Sequence, residues 1–310
     1  MDLEFVVVAY KSSGELTGCL DSIASDAPAG TKVVVVDNAS PDDSAVVAGS
    51  HPLRARIVSS TTNLGFGGGC NLGAEGSEAD ALFFLNPDAR LVPGATALLL
   101  AALEADVSLG VVAPRVIDPS GESRAASAGA EPSLRSSIGH FLALGRIPAV
   151  RRLFRPVYLA DGGVRSRPDW VSGAAMLVRK NAYDEIGGFD ERIFMYMEDV
   201  DLCRRLREKG WTVGYESDAV VEHVMGHSQS AGQPARWYRA YHAYIAAHRG
   251  SLYARATSLV AAVGLGLRAV AYRRTRPVNS ARMARSARAA LGSVVSSPDM
   301  PPAGHAPHVR

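Results

Sequence analysis

The chain has 310 residues, enough for one large domain or two small ones. A composition of 47% hydrophobic and 21% charged residues is typical of a soluble globular protein and argues against a disordered chain. The three cysteines, Cys19, Cys70 and Cys203, have no paired spacing. They therefore exclude a disulfide framework or a cysteine zinc site and favour a reducing compartment. The chain opens directly on a strand-like segment, so we expect no signal peptide.

The net charge of +2 hides an uneven distribution along the chain. Residues 1–150 contain 9 Lys or Arg against 17 Asp or Glu, a net charge of −8. Residues 151–234 contain 12 against 13, and residues 235–310 contain 12 against 1, so the last segment has a net charge of +11. A basic segment on an acidic body predicts an anionic partner for that segment.

Strands alternate with helices through the first 118 residues. Apolar runs predict five strands, at residues 3–9, 32–36, 55–59, 81–86 and 110–117. Helical spacing between the strands predicts helices over residues 15–24, 42–48 and 94–105. A fourth predicted helix follows the glycine run at 65–69 and ends at about residue 76. This alternation is typical of βαβ units, so the predicted fold class is α/β with a mostly parallel sheet and helices on both faces.

The second half is less regular. Residues 119–168 are rich in Ser, Gly, Pro and Arg, which is typical of either a binding loop or a disordered segment, with a helix around 137–144. Residues 170–179 predict a strand, and a helix follows through Lys209. Two short strands are predicted at 213–215 and 219–222. From about residue 233 the chain becomes helical and Arg-rich, and residues 293–310 predict a disordered tail.

The segment ALFFLNPDARL, residues 81–91, carries the first candidate site. Its apolar run predicts a strand that ends at Asn86 and Pro87, so Asp88 follows the carboxyl end of the strand. Ligands of open parallel sheets bind at that edge. A carboxylate there can bind a divalent cation, which in turn can bind a diphosphate. The alternative is a simple turn with a solvated aspartate.

Polar residues follow the other predicted strands in the same way. Asp37 and Asn38 follow the second strand, and Tyr10 follows the first. Together they predict a nucleotide pocket, with an aromatic face for a base and a carboxylate for a base N–H or the ribose. The glycine run at 65–69 precedes a helix, which suits phosphate binding. It lacks the dinucleotide fingerprint, because Cys70 stands where the third glycine would fall.

Two further groups could take part in chemistry. Glu198, Asp199 and Asp201 lie at the start of a predicted helix, next to apolar residues. A carboxylate in such surroundings can act as a general base, although acids there can also complement the helix dipole or cap the helix. His223 ends a predicted strand and could complete a cation site with Asp88, and His227 is the competing choice.

The ordered set of motifs resembles the family 2 glycosyltransferases of the GT-A fold, and most resembles the bacterial rhamnosyltransferases of cell-envelope glycan synthesis. The matching stretches are residues 7–10, 36–40, 63–71, 85–88, 170–175, 187–190, 194–202 and 221–228. This resemblance implies a role for each matching residue. The nucleotide-sugar would be bound by Tyr10, Asp37, Asn38, Asn63, Gly65, Asn86 and Asp88.

The resemblance also implies the chemistry. Asp199 would be the catalytic base with Glu198 beside it, and Asp88 and His223 would bind Mg²⁺ or Mn²⁺. The acceptor side would be formed by Trp170, Gly173 and Ala174. Asn86 departs from the family pattern, which has an aspartate at this position of its Asp-x-Asp metal motif. One carboxylate therefore remains in this turn.

The implied reaction is inverting transfer of a sugar, with L-rhamnose from dTDP-rhamnose as the expected donor, to a glycan or polyprenyl-diphosphate acceptor. Two alternatives stay open: another donor in the same family, such as a UDP-hexose or UDP-galactofuranose, and a nicotinamide-dependent oxidoreductase. A non-catalytic nucleotide-binding protein is a third interpretation. The acids at positions 88 and 199 argue against it.

The predicted organisation has a GT-A domain over residues 1–232, with a nucleotide-sugar half at 1–118 and an acceptor half at 119–232. A basic helical extension follows at 233–292. An apolar stretch at 257–272 beside clustered arginines fits a helix at an anionic membrane surface, or a bundle helix or homodimer contact. The apolar stretch itself is shorter than a spanning helix needs. We expect a cytoplasmic enzyme with no nucleic-acid partner. If residues 257–272 form a helix at a membrane surface, the enzyme would lie at the inner face of the cell membrane.

Overall fold

The computed structural model describes residues 1–120, 127–144, 147, 149–150, 153–154, 157–158, 167–224 and 233–295. The chain divides into two compact units. The first contains Met1–Gly129 and Tyr158–His227, and the second contains Ala130–Val157 and Ser228–Arg310. The first unit thus holds every residue of the predicted active site.

The first unit is built on strands that alternate with helices. Its strands are β1 (Leu3–Ala9), β2 (Lys32–Asn38), β3 (Arg56–Ser60), β4 (Ala81–Leu85), β5 (Ala89–Leu91), β6 (Leu109–Ile117), β7 (Ala128–Gly129), β8 (Trp170–Val171), β9 (Ala175–Arg179) and β10 (Thr212–His223). Its helices are α1 (Leu16–Asp26), α2 (Ser44–Ser50), α3 (Gly65–Ala74), α4 (Ala95–Ala105), α6 (Lys180–Glu185) and α7 (Glu198–Glu208).

Eight strands form one sheet in the order β3-β2-β1-β4-β9-β6-β10-β5. The pairs β1–β2, β1–β4, β2–β3 and β6–β10 are parallel, while β9 and β5 pair antiparallel with their neighbours. The prediction of a mostly parallel α/β sheet is confirmed. The five strands of the first half lie within two residues of their predicted bounds.

Central strands are buried on both faces, as their continuous apolar sequences predict. Every residue of β1 and of β4 is buried. The rings of Phe5 and Phe83 stack in adjacent strands with centroids 4.6 Å apart. This rigid centre fixes the strand ends on which the candidate site depends.

Three sequence predictions in the first unit need correction. Residues 170–179 form two strands, because β8 pairs with β7 in a separate two-stranded sheet while β9 pairs with β4. The two short strands predicted between 213 and 222 are one strand, β10, with a register shift between Glu216 and Val220. The three-residue strand β5 was not predicted, since its sequence carries too few residues to show a period.

The second unit is helical. It contains α5 (Leu134–Phe141), α8 (Gln233–Arg249), α9 (Ser251–Tyr272) and α10 (Pro277–Val295), and α9 packs against the other three. Ser133 caps α5 in a capping box with Ser136. Contact within the chain groups Ala130–Val157 with these C-terminal helices, since α5 packs on α9, and the division of residues 1–232 into a nucleotide-sugar half and an acceptor half stays a prediction. The last helix continues to Val295, three residues into the predicted tail, and residues 296–310 lie outside the described residues.

Helix α9 begins earlier than its apolar stretch. At 22 residues it is long and apolar enough to cross a membrane by length and composition, which corrects our estimate that the stretch is too short. However, 39% of its most apolar window is buried within the structure, and core helices of soluble proteins pass the same test. Length and composition therefore do not assign α9 to a membrane.

Candidate active site

The strand pairing of β5 with β10 creates the candidate cation site. Because β5 follows Asp88 directly and pairs antiparallel with the end of β10, Ala89 lies opposite His223. The imidazole Nε2 of His223 is consequently 2.9 Å from Asp88 Oδ1. The backbone N–H of Val224 also donates to the Asp88 carbonyl, at 3.0 Å. The structure thus brings together the two residues that the resemblance implied as metal ligands.

Asn86 completes this cluster of side chains. Its amide nitrogen lies 3.3 Å from the same Nε2 of His223, so that one ring nitrogen faces both a carboxylate and an amide. Carboxylate and amide oxygens suit Mg²⁺ or Mn²⁺, and the imidazole, a softer ligand, favours Mn²⁺ of the two. Across the described parts of the chain, no group of three or more His, Cys, Asp and Glu side chains converges on a metal position. The protein thus offers a partial ligand set that a diphosphate could complete. His227, the competing choice, lies outside the described residues.

Asn38 and Asn63 organise the edge of the predicted nucleotide pocket. The buried Asn38 side chain donates to the Gly65 carbonyl at 2.9 Å and to Asn63 Oδ1 at 3.2 Å, and accepts from the Leu64 N–H at 2.9 Å. Asn63 Oδ1 also accepts from the Gly65 N–H at 2.9 Å. Both asparagines therefore shape the loop that leads into α3, which is a structural reason for their place in the motif.

Tyr10 and Asp37 lie at the ends of adjacent parallel strands, as predicted. Tyr10 is 43% exposed, so its ring is accessible to a ligand. Asp37 Oδ1 accepts from the N–H of Ser40 at 3.1 Å. Lys11, which follows Tyr10, and Ala39, which follows Asn38, have positive φ angles of 56° and 58°. Non-glycine residues adopt this conformation rarely, and it concentrates at functional sites.

Gly65 is the point where the nucleotide edge contacts the segment before α7. Its φ is 76°, and a Cβ there would lie 2.1 Å from the carbonyl oxygen of Phe194. The N–H of Phe66 donates to the same carbonyl at 3.2 Å. Only glycine allows so close an approach. The sequence assigned Gly65 to phosphate binding, whereas the contacts show that it also packs the Phe194 segment.

The candidate base is held at the start of α7 by backbone N–H groups. Asp199 Oδ2 accepts from Gly173 N–H at 3.0 Å, and Oδ1 accepts from Val200 N–H at 2.8 Å. The two residues before the helix, Tyr196 and Met197, both have positive φ, at 69° and 72°. Two consecutive non-glycine residues in this region are unusual and fix the direction in which α7 begins.

Glu198 and Asp199 form a pair of neighbouring acids, of which Glu198 is buried and Asp199 is half-buried. Glu198 is only 8% exposed, and burial together with the charge of Asp199 raises its pKa to about 8. Burial also raises the pKa of Asp199, but the two backbone N–H groups stabilise its charged form. Within the described parts of the chain, Glu198 Oε2 has no hydrogen-bond partner. We therefore expect the pair to hold one negative charge at neutral pH, on Asp199, with the proton on Glu198.

A short backbone connection links the two acidic sites. The N–H of Asn86 donates to the Ala174 carbonyl at 2.9 Å, and the neighbouring Gly173 binds Asp199. The segment between β8 and β9 therefore contacts both Asn86, next to the candidate cation site, and the candidate base Asp199. Gly173 and Ala174 connect the two sites. Trp170 is buried, with its ring 5.8 Å from that of Tyr158 in an edge-to-face contact.

Asn71 is a positioning residue that sequence reasoning did not single out. Its Oδ1 accepts from the Phe189 N–H at 2.8 Å and from the Tyr183 hydroxyl at 2.6 Å. Its Nδ2 donates to the Phe189 carbonyl at 3.0 Å and to Glu191 at 3.0 Å. One side chain of α3 thereby anchors the loop before α7. The available signal was its place at the end of the glycine-rich motif.

Two family models match this chain. The glycosyl transferase family 2 model matches residues 4–152, and the glycosyltransferase-like family 2 model matches residues 144–240. The N-acetylglucosaminyl-diphospho-decaprenol L-rhamnosyltransferase of Mycobacterium tuberculosis is 34% identical over 256 residues, which is 77% of this chain and 81% of the relative. The low-salt glycan biosynthesis hexosyltransferase Agl10 of Haloferax volcanii is 25% identical and covers 79% and 72% of the two chains.

Solved structures of glycosyltransferases share the fold. The mannosyltransferase PcManGT of Pyrobaculum calidifontis, in complex with GDP-Man and Mn²⁺, matches with a TM-score of 0.62 at 15% identity, covering 95% of this chain and 86% of its own. GalNAc-T7, solved with UDP, GalNAc and Mn²⁺, matches with a TM-score of 0.57 at 14% identity, covering 81% and 51%. With its motifs in place on this fold, and with a relative 34% identical along most of both chains, the chain belongs to glycosyltransferase family 2.

Proposed function

We propose that this glycosyltransferase transfers L-rhamnose, with inversion, from dTDP-rhamnose to an N-acetylglucosaminyl-diphospho-polyprenol acceptor of cell-envelope glycan synthesis. The observation that carries the reaction type is the connection of Asp88 and Asp199 through Asn86, Ala174 and Gly173. Through these contacts one backbone segment, residues 173–174, joins the residues that would meet the diphosphate to the base. The sugar and acceptor rest on the mycobacterial relative, whose name states both.

Asp199 acts as the general base in this proposal. Its carboxylate takes the proton from the acceptor hydroxyl while that oxygen forms a bond to the anomeric carbon. The bond from the anomeric carbon to the diphosphate oxygen breaks, and the nucleoside diphosphate leaves. Burial raises the proton affinity of Asp199, and the N–H groups of Gly173 and Val200 keep it oriented. Because Glu198 is protonated, the pair of Glu198 and Asp199 carries a single negative charge, on Asp199.

Asp88 and His223 would bind Mg²⁺ or Mn²⁺ together with the donor diphosphate. Their chemistry fits, since a carboxylate oxygen and an imidazole nitrogen face each other at 2.9 Å with the Asn86 amide beside them. The cation would supply neutralisation of the charge that develops on the leaving diphosphate. Metal dependence of this enzyme is part of the proposal.

The donor nucleotide occupies the edge formed by the ends of β1 and β2. Tyr10 offers an exposed ring for the base, and Asp37 offers a carboxylate for a base N–H or the ribose hydroxyls. Asn38, Asn63 and Gly65 keep the adjoining loop in place through buried hydrogen bonds. Asn86 and Asp88 meet the diphosphate end of the donor. Trp170, Gly173 and Ala174 stay as the predicted acceptor side.

A second candidate is hexose transfer within the same family, with a UDP-hexose or UDP-galactofuranose donor. The hexosyltransferase Agl10 favours it, but at 25% identity against 34% for the rhamnosyltransferase. We retain the prediction of a cytoplasmic enzyme working at the inner face of the membrane. The support is the lipid-linked acceptor in the name of the mycobacterial relative. The homodimer stays an untested sequence prediction.

The test is a donor screen with a short-chain N-acetylglucosaminyl-diphospho-polyprenol acceptor. The purified chain receives dTDP-rhamnose, UDP-glucose, UDP-galactose or UDP-galactofuranose, each with Mg²⁺, Mn²⁺ or EDTA. Product mass identifies transfer, and nucleoside diphosphate release measures its rate. We expect rhamnosyl product with dTDP-rhamnose, and its loss with EDTA.

Two controls separate the alternatives. Reactions without acceptor measure donor hydrolysis, and Asp199→Asn protein measures any transfer that does not need the base. A hexosyl product from a UDP donor, with none from dTDP-rhamnose, would support the second candidate. Equal rates in EDTA would overturn the metal role of Asp88 and His223 while leaving the transferase assignment intact.

A further inference from the structure

Helix α9 packs mostly small side chains inward, with Leu265 the one large apolar residue among its buried ones, and exposes five large apolar side chains. An amphipathic helix of a globular protein normally does the opposite. We define the exposed stripe of α9 by five side chains that are 49% to 83% exposed: Leu252, Leu259, Val263, Leu267 and Val270. Their spacing of seven, four, four and three residues places them on one face of the helix, over roughly 27 Å of its length.

The opposite face of α9 is committed to packing within the helical unit. Its buried residues include Ala254, Thr257, Ser258, Ala261 and Gly264. A Cβ at Gly264 would lie 2.3 Å from the Phe141 carbonyl oxygen of α5, so small residues there permit close contact. Since this face is already used, the large side chains of the stripe cannot turn inward without separating the helices. The exposed stripe is therefore a lasting feature of the folded unit.

Arginines lie beside the stripe, and residues 233–295 contribute no acid to balance them. Residues 233–295 contain eleven arginines and no Lys, Asp or Glu. Arg255 is exposed beside the stripe, and Arg273, Arg274 and Arg276 are exposed where α9 ends. Such a surface complements a plane that is both apolar and negatively charged. A bilayer of anionic phospholipid has this character, because apolar side chains enter the headgroup boundary while arginines contact the phosphates.

We propose that the exposed stripe of α9, with Arg255, Arg273, Arg274 and Arg276, docks this enzyme on the surface of an anionic phospholipid bilayer. A second copy of the chain fits this surface less well. Two stripes in contact would bring arginines of both copies together with no acid from residues 233–295 to compensate them. A spanning α9 also fits less well, since Thr257 and Ser258 and the packed face would have to leave their neighbours.

The proposal supplies the surface for the membrane location named under the proposed function, and it can fail independently of that function. Vesicle binding is measured without donor or acceptor, and transfer is measured with a short-chain acceptor in the absence of vesicles. Loss of one with the other intact separates the two. A lipid-docked enzyme would meet a polyprenyl-diphosphate acceptor at the plane where its diphosphate lies.

The experiment is co-sedimentation of the full chain with vesicles of phosphatidylcholine alone, or of phosphatidylcholine and phosphatidylglycerol in equal amounts. We expect at least tenfold tighter binding to the anionic vesicles. The double variant Leu259→Glu with Leu267→Glu should weaken that binding at least tenfold. Val46→Glu with Val107→Glu is the matched control, because both valines are highly exposed in the first unit and the charge change is the same. It should bind as the unsubstituted chain does.

A second pair of variants keeps the proposal testable if the glutamates impair folding. Leu259→Ala with Leu267→Ala should still weaken binding several-fold, and Arg273→Gln with Arg274→Gln should reduce the dependence of binding on salt. Equal binding to neutral and anionic vesicles, or unchanged binding by both stripe variants, would overturn the proposal. So would resistance to alkaline carbonate extraction, which indicates a spanning helix. Light scattering that shows a dimer broken by the stripe variants would assign the stripe to a second copy.

Discussion

Asp88 and the Glu198–Asp199 pair are the carboxylates of the candidate active site, and their surroundings differ. The Asp88 side chain is 20% exposed and faces the imidazole of His223. Glu198 is buried and Asp199 is half-buried, and burial raises the pKa of each. A partly open carboxylate beside an imidazole suits a cation and its diphosphate. A pair of neighbouring acids that holds one charge suits proton transfer, so the two environments favour the two different roles that we propose for these side chains.

The base assignment makes the largest prediction. Asp199→Asn keeps the shape of the side chain and removes its ability to accept a proton. We expect kcat to fall by about 10²- to 10⁴-fold, with the Kd of the donor nearly unchanged. Steady-state kinetics and calorimetric titration of the donor measure the two effects. A loss of donor affinity comparable to the loss of kcat would mean that Asp199 belongs to the donor site instead.

Asp88→Asn should produce the opposite pattern. Loss of the carboxylate that faces His223 should weaken donor binding in the presence of Mg²⁺ or Mn²⁺ by roughly tenfold or more, about 1.4 kcal/mol. Donor binding in EDTA should differ little between this variant and the unsubstituted chain. Asp106→Asn is a control at the far end of α4 and should leave donor binding unchanged. Equal weakening of donor binding with and without metal would contradict the cation role of Asp88.

Gly65→Ala tests the contact that joins the nucleotide edge to the segment before α7. The new Cβ would meet the Phe194 carbonyl, and the positive φ adds about 1–2 kcal/mol for a non-glycine residue. We expect kcat to fall by about tenfold or more, in addition to a lower melting temperature. Gly76→Ala is the matched control, since Gly76 has a φ of 70° and open space around it. It should lower stability alone.

If both glycine variants lost stability and activity in the same proportion, the contact between Gly65 and Phe194 would not position the segment before α7 for catalysis. A crystal structure of Gly65→Ala protein would locate the displacement directly. We expect it in residues 194–199, because the shared carbonyl of Phe194 has to move.

Glu198→Gln should change how stability depends on pH. Burial and the neighbouring Asp199 raise the pKa of Glu198 from 4.5 to about 8, so the folded state binds this proton more tightly than the unfolded chain. The contribution of Glu198 to the unfolding free energy is complete below about pH 4.5 and is lost as the pH rises to about 8. Glutamine mimics the protonated acid and does not titrate.

The measurement is the melting temperature of both proteins from pH 5 to pH 8. We expect the unsubstituted chain to lose several degrees more than Glu198→Gln across this range. The exposed Glu75 supplies the control variant, Glu75→Gln, whose melting curve should follow that of the unsubstituted chain. Parallel curves for all three proteins would indicate that Glu198 is already ionised at pH 5.

The sequence determined the part of this protein that depends on local pattern. Apolar runs identified the core strands, since a strand buried on both faces must be apolar throughout, and strand ends identified Tyr10, Asp37 and Asp88 as an edge. The motif order identified the glycosyltransferase family. The alternation of strands and helices along the chain was sufficient to predict that the sheet is mostly parallel.

Tertiary structure decided what depends on distant pairing. His223 reaches Asp88, 135 residues away in sequence, because the unpredicted strand β5 pairs with β10. Asp199 binds Gly173 because residues 170–179 split between two sheets, and no periodicity reports that break. The exposed stripe of α9 likewise follows from close packing of the opposite face on α5, since composition alone does not say which side of an apolar helix is covered. Local sequence fixes which residues can be buried, and only the complete fold determines which of them meet.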